Sequence, residues 1–329
     1  MSLRNFIIDL SIRFIVRLAP DNFFTILNYH RFIKETDKRL QSLDPFIFKK
    51  QIQLLKRYFS IYSIDDAVEL SNKQKLPRGS IVISIDDGYQ DAYDSAFKIL
   101  LEEEINAVFF ISTSGLSDGY LWDHLLDSVY QNDSAINDLK KIFPDLKLED
   151  NSSFSIDNFK NYIKYTNWRN RSNILSKIYT TIKLNYPENA FVTEGNIKEM
   201  SDCGMTIGAH THNHPILSCE HDIDAYDDIK QSKDILERIT GKQVLYFAYP
   251  NGKFEVDFNN KHIEMVRQIG FKGAVSTNWG TVNLENDSIW QMKRYTPWDS
   301  DPHLFCLRLA INMVVERFSC SWLMNRLRK

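Results

Sequence analysis

Ser80-Ile81-Val82-Ile83-Ser84-Ile85-Asp86-Asp87-Gly88-Tyr89 is a short apolar run that stops at two carboxylates and a glycine. Its brevity and β-branched content predict a buried strand over residues 80–85. Asp86 and Asp87 then stand at the strand's C-terminal end. Adjacent carboxylates repel, so both are tolerated only with a cation or hydrogen-bond donors nearby. Gly88 lets the chain turn and approach a ligand closely. Taken alone, Asp-Asp-Gly is also an ordinary turn.

Runs of the same kind recur at residues 23–29, 107–112, 205–209, 244–248, 273–276 and 289–292. Helical patterns separate several of them. Phe48, Ile52, Leu55 and Phe59 predict a helix from 46 to 58, and further helices are expected over 92–103, 225–240 and 261–269, with Gly241 and Gly270 as stops. Strand and helix in alternation imply a parallel sheet with helices outside it. About seven such repeats point to an α/β fold of the closed or nearly closed barrel type, whose active sites gather at the C-terminal ends of the strands. Neither a G-x-G-x-x-G nor a P-loop is present.

His210-Thr211-His212-Asn213-His214 follows the run at 205–209, at another strand end. A spacing of four can bring His210 and His214 to one metal, with His212 left as a rim or supporting group. Asp87, His210 and His214 are therefore the expected ligands of one divalent ion. Zinc suits the set best, and Co, Ni, Mn or Fe share its donor preference. Three protein ligands leave room for water and substrate, and Asp86 is placed to take a proton as general base.

The chain has 329 residues, 43% hydrophobic and 25% charged, with a formal net charge of -3. That balance gives no electrostatic footprint for nucleic acid. Cys203, Cys219, Cys306 and Cys320 form no C-x-x-C pair and read as reduced thiols. Residues 1–20 read as an amphipathic helix: Phe6, Ile7, Ile8, Leu10, Ile12, Phe14, Ile15, Val16 and Leu18 are broken by Asp9, Arg13 and Arg17, which leaves no signal-peptide core. Residues 304–329 repeat the pattern. These termini flank a barrel domain over 21–303. A polar, mostly helical stretch at about 116–194 interrupts its rhythm, as a lid or a decoration. The expected location is cytoplasmic, with the terminal helices as candidates for peripheral contact at the inner membrane.

The motifs at 85–89 and 210–214, followed by Phe247-Ala248-Tyr249-Pro250-Asn251-Gly252, resemble in order the first three motifs of the polysaccharide deacetylases, carbohydrate esterase family 4, the NodB homology domain. Leu27-Asn28-Tyr29-His30-Arg31 is similar to the opening strand of one bacterial subgroup. The resemblance spans roughly 23–300. It implies a distorted (β/α)7 barrel, a metal-dependent removal of N-acetyl or sometimes O-acetyl groups from an acetylated glycan, and the same Asp86, Asp87, His210 and His214 roles. It also implies that the backbone N–H of Asn251 binds the oxyanion.

Two departures stand out. Ala248 occupies the place of an arginine that orients the base, and Arg294 is the candidate substitute. The late Leu-x-His motif has no convincing match; His303 and, more favourably, His30 are the alternatives for proton donation. Tyr89, Tyr249, Pro250 and Trp279 are candidate substrate contacts, with Trp298 a further stacking residue. The departures also motivate a second reading, a catalytically degenerate glycan-binding or regulatory protein. A third, a non-haem iron oxygenase, shares the two-histidine, one-carboxylate set but leaves Asp86 unexplained.

Overall fold

The computed structural model describes residues 3–34, 42–119, 121–130, 133–143, 156–182, 189–297 and 299–327. Its centre is a parallel sheet of β1 (Phe24–Tyr29), β2 (Ser60–Ile61), β3 (Ser80–Ile85), β4 (Val108–Ile111), β5 (Thr206–Ala209), β6 (Tyr246–Ala248), β7 (Gly273–Trp279) and β8 (Met292–Tyr295). The order runs β1-β8-β7-β6-β5-β4-β3, and β3 returns to β1 over six residue pairs from Phe24↔Ser80 to Tyr29↔Ile85. Seven strands thus close a barrel, and the two-residue β2 hangs on the start of β3.

Period-2 alternation sorts each strand's side chains. Ile26, Val82, Val108, Phe110, Ala248, Val275 and Met292 fill the barrel interior, where Ile64, Ala67 and Val68 of α3 (Ile64–Asn72) pack with them. Leu27, Tyr29, Ile81, Ile83, Ile85, Phe109 and Phe247 belong to a separate cluster, shared with the surrounding helices. Gly208 of β5 makes the interior possible: a Cβ there would lie 2.4 Å from the Phe110 ring. The inward positions turn polar toward the strands' C-terminal ends, at Asn28, Ser84 and Asp86.

The helices follow from their caps and stripes. Asp44 caps α2 (Pro45–Tyr58), which buries Phe48, Ile52 and Leu55 at helical spacing. A π-helical turn, Ala92–Phe97, precedes α4 (Lys98–Glu102), where a plain helix is expected over 92–103. α10 (Glu194–Asp202), α11 (Asp222–Thr240) and α12 (Asn260–Gln268) complete the barrel's outer layer. The terminal helices α1 (Leu3–Val16) and α13 (Pro302–Leu327) pack on one another and on α2.

Three expectations need correction. β2 lies in no apolar run and is missed by the sequence reading. The last strand is Met292–Tyr295, because residues 289–291 form a 3-10 turn that Ser288 caps. Asp9 does not share an exposed face with Arg13 and Arg17: it is buried, 3.0 Å from His303 and 3.4 Å from Arg57.

The excursion after β4 holds α5 (Ser114–Asp118), α6 (Trp122–Tyr130), α7 (Asp133–Ile142), α8 (Ile156–Lys164) and α9 (Trp168–Thr181). Leu125, Leu126, Leu139, Phe159, Leu175 and Ile178 give it a core of its own.

Candidate metal and acyl-hydrolysis site

Because the barrel strands are parallel, their C-terminal ends open on one side, and the motifs converge there. Asp86 and Asp87 leave β3, and His210 leaves β5. The Asp86 N–H donates to the Tyr29 carbonyl, that of Ser112 to Asp87, and that of His210 to Ile111, so the loops extend the barrel's own ladder. Asp86, Asp87, His210 and His214 are all buried.

Asp87 Oδ1 lies 3.4 Å from His210 Nε2 and 3.5 Å from His214 Nε2. Two ligands of a tetrahedral ion with bonds of about 2.05 Å stand about 3.3 Å apart. The donor triangle therefore has the size of one face of such a site, and the three residues form a candidate metal group. His210 Nδ1–H donates to the Ala248 carbonyl at 2.8 Å, which leaves Nε2 as the free lone pair. Burial opposes ionisation of Asp87, but a hydrogen bond from His210 and the charges of His30, His214 and His210 outweigh it, holding its pKa well below the usual range. Burial pulls the pKa of His214 down, while the two carboxylates push that of His210 up despite burial. A cluster that stabilises positive charge this strongly fits a cation.

His212 takes no part in the triangle. Its Nδ1 pairs with the Thr113 hydroxyl at 2.8 Å, and its N–H donates to Asp228 at 2.7 Å. Asp228 also accepts from the Asn213 side chain at 2.6 Å, which fixes the histidine loop. Two contacts come from the excursion: Trp122 Nε1–H donates to the His214 carbonyl at 2.9 Å, and the buried Arg171 reaches the Asn213 and His214 carbonyls at 3.4 and 3.5 Å.

Asp86 is held from the opposite side. Arg294 Nη1 donates to it at 2.8 Å and to Asn28 Oδ1 at 2.9 Å, and Arg294 Nε donates to the Ser276 carbonyl at 2.9 Å. Burial raises the Asp86 pKa, but Arg294 leads His210 and His30 in lowering it, and the net shift is downward. Arg294 thus supplies from β8 the guanidinium that Ala248, inward on β6, lacks. His30, just past β1 and partly exposed, places Nε2 3.9 Å from Asp86 Oδ2.

Asp87, Thr211, His214 and Asn251 have φ of +75°, +66°, +50° and +55°. Each such non-glycine residue carries strain of order 1 kcal/mol or more, and four of them sit in these three loops. Gly252, at φ +69°, is bounded by the Tyr249 carbonyl and the Thr277 N–H, which a Cβ would meet at 2.8 and 3.0 Å. The Asn251 carbonyl accepts from the Thr277 hydroxyl.

Several candidate contacts lie elsewhere. Tyr249 follows inward Ala248, so it points outward: it is fully buried, stacks on Phe258 at 3.7 Å and donates its hydroxyl to the Trp290 carbonyl. Trp279 stands past a bulge in β7 that resets the alternation, and rests on the outward Tyr295 at 4.3 Å. Tyr89 is buried between Arg31, 3.9 Å above its ring, and Phe191, stacked at 4.9 Å. Pro250 is buried as well, and fixes the entry to Asn251. His303 is taken up by Asp9 in the terminal-helix layer. Trp298 lies outside the described residues. The sequence reading misses Trp122, Arg171 and Asp228, and also His124, whose imidazole burial pushes down to about 4 beside the Tyr89 and Phe191 rings.

A family model described as polysaccharide deacetylase matches residues 159–274. The chain resembles the polysaccharide deacetylases. The match includes both ligand histidines and Asn251, and leaves Asp86 and Asp87 outside it. No curated protein matches. Among solved structures the deacetylase fold extends over most of the chain. The deacetylase PplD of Streptococcus pyogenes, in complex with acetate, has 18% identity and a TM-score of 0.57, over 83% of this chain and 92% of its own. IcaB of Ammonifex degensii has 17% identity and a TM-score of 0.59, over 89% and 98%. A de-N-acetylase of Aggregatibacter actinomycetemcomitans has 18% identity and a TM-score of 0.55, over 83% and 94%.

Proposed function

We propose that this protein is a metal-dependent hydrolase that removes N-acetyl groups from a glycan, with Asp86 as general base. The reading is carried by one observation: a carboxylate paired with a buried arginine stands beside a triangle of three metal-type donors at a barrel mouth. Two imidazoles and one carboxylate suit zinc, with Co, Ni, Mn and Fe as alternatives. When bound, such an ion supplies Lewis-acid polarisation of an acyl oxygen and lowers the pKa of water.

The chain's own residues account for the rest. Arg294 keeps Asp86 ionised and oriented, so Asp86 can accept the proton of the attacking water. The Asn251 N–H finds no acceptor among the described residues, and in this reading it donates to the oxyanion. Donors of this kind contribute about 3 kcal/mol to acyl transfer when removed singly. His30 borders the Asp86 carboxylate from the partly exposed side and is the candidate donor to the leaving amine. An acetate complex of a protein with the same fold agrees with acetate as a product.

The test is acetate release from N-acetylhexosamine oligomers with zinc or cobalt, with a chelator, and after metal is restored. Release that stops and returns with the metal supports the reading. Metal-loaded protein that releases no acetate across a broad glycan panel favours the binding-protein alternative, although Arg294 removes the main reason for it.

A further inference from the structure

We infer that α1 docks the protein in the headgroup region of an anionic lipid bilayer, independently of the reaction at the barrel mouth. A surface helix needs one apolar face, directed at the core. α1 has two. Ile8 and Ile12 are buried against the domain. Leu3, Ile7, Leu10 and Phe14 advance by three or four residues and line the opposite face, with Phe6 beside them, and all five are between 48 and 76% exposed. Leu18 continues the stripe just past the helix end at 43%. Contiguous apolar surface of this kind marks an interaction site.

The charges around the stripe select the partner. Arg4 flanks one side, and Arg13 and Arg17 the other, all exposed. Arg4 pairs with Asp301, and the Arg17 carbonyl accepts from Arg78, which itself pairs with Asp21. Among the described residues, no ion pair engages the Arg13 or Arg17 guanidinium. The helix's one acid, Asp9, is buried under it with His303 and Arg57. An apolar stripe edged by arginines matches a surface that is apolar below and negative above. A second copy of the chain fits less well, because α1 against α1 would bring arginines together. No described helix is long and apolar enough to cross a membrane, so the contact is in the plane of the interface.

The experiment is co-sedimentation of the full chain with phosphatidylcholine vesicles, with and without phosphatidylserine, at low and high salt. Wild type should sediment with the phosphatidylserine vesicles and be released by salt. The double variant Leu10→Gln/Phe14→Gln should bind at least roughly tenfold more weakly. Arg13→Gln/Arg17→Gln should lose the phosphatidylserine preference, on the order of tenfold. These side chains face solvent, so circular dichroism and the melting temperature should not move. Acetate release from a soluble oligomer should stay at the wild-type level. Wild type that ignores both vesicle types overturns the inference, as does Leu10→Gln/Phe14→Gln binding as well as wild type. So does concentration-dependent dimerisation that this double variant abolishes, without vesicle binding.

Discussion

At residue 248 the side chain is a methyl group, and the guanidinium that meets Asp86 comes from Arg294, two strands further round the barrel. The two solutions are equivalent at the carboxylate, because what matters is a buried positive donor 2.8 Å from it. Removing one partner of such a pair leaves a buried charge uncompensated. In Arg294→Met, burial alone acts on Asp86 and raises its pKa. A base must be deprotonated, so the acid limb of the kcat/KM profile should move to higher pH and the plateau should fall by about 10² or more. A pH–rate series in wild type and variant checks both, since any metal contribution is common to the two. An unmoved acid limb would take Arg294 out of this role. The core of this arrangement was legible in the sequence because its chemistry is local. Two carboxylates after one strand and three histidines after another need no tertiary information. The outward direction of Tyr249 was legible too, since its neighbour Ala248 faces in. Trp279 was not, because the bulge between Val275 and Trp279 reverses the alternation without a local signal.

The elements between β4 and α10 are legible as helical but not as supports. Trp122 and Arg171 meet the histidine loop only through the folding of the excursion, 92 and 43 residues from His214 in sequence. They hold a carbonyl that belongs to a left-handed residue, so they stabilise the strained end of a ligand loop. Groups that orient metal ligands from behind typically change affinity by 10–100-fold. Trp122→Phe keeps the ring and deletes the donor. It should weaken metal binding by roughly tenfold, read by competition with a chromophoric chelator, with secondary structure unchanged. Unaltered affinity would reduce the excursion to a decoration. Asp228→Asn should act in the same direction, because Asp228 accepts from the His212 and Asn213 backbones.

For the whole molecule, the three ligands join the loops after β3 and β5, which are separated by β4 and the entire excursion. A metal that binds only the folded arrangement stabilises it by about 2.7 kcal/mol at a hundredfold excess over Kd. Removal by a chelator should therefore lower the melting temperature by several degrees, and Asp87→Asn should abolish that response. A chelator effect that survives in Asp87→Asn would place the stabilising metal elsewhere. The barrel itself was legible because seven short apolar runs alternate with helical stripes. Its closure between β1 and β3, and the addition of β2, were not, because register across distant strands leaves no mark in either segment alone.

The most direct test of the account is acetate released per metal ion bound, measured side by side for wild type, Asp86→Asn and Asp87→Asn. The account predicts one ion and turnover in wild type, one ion and no turnover in Asp86→Asn, and neither in Asp87→Asn. Substantial turnover in Asp86→Asn, or a full metal complement in Asp87→Asn, would contradict it.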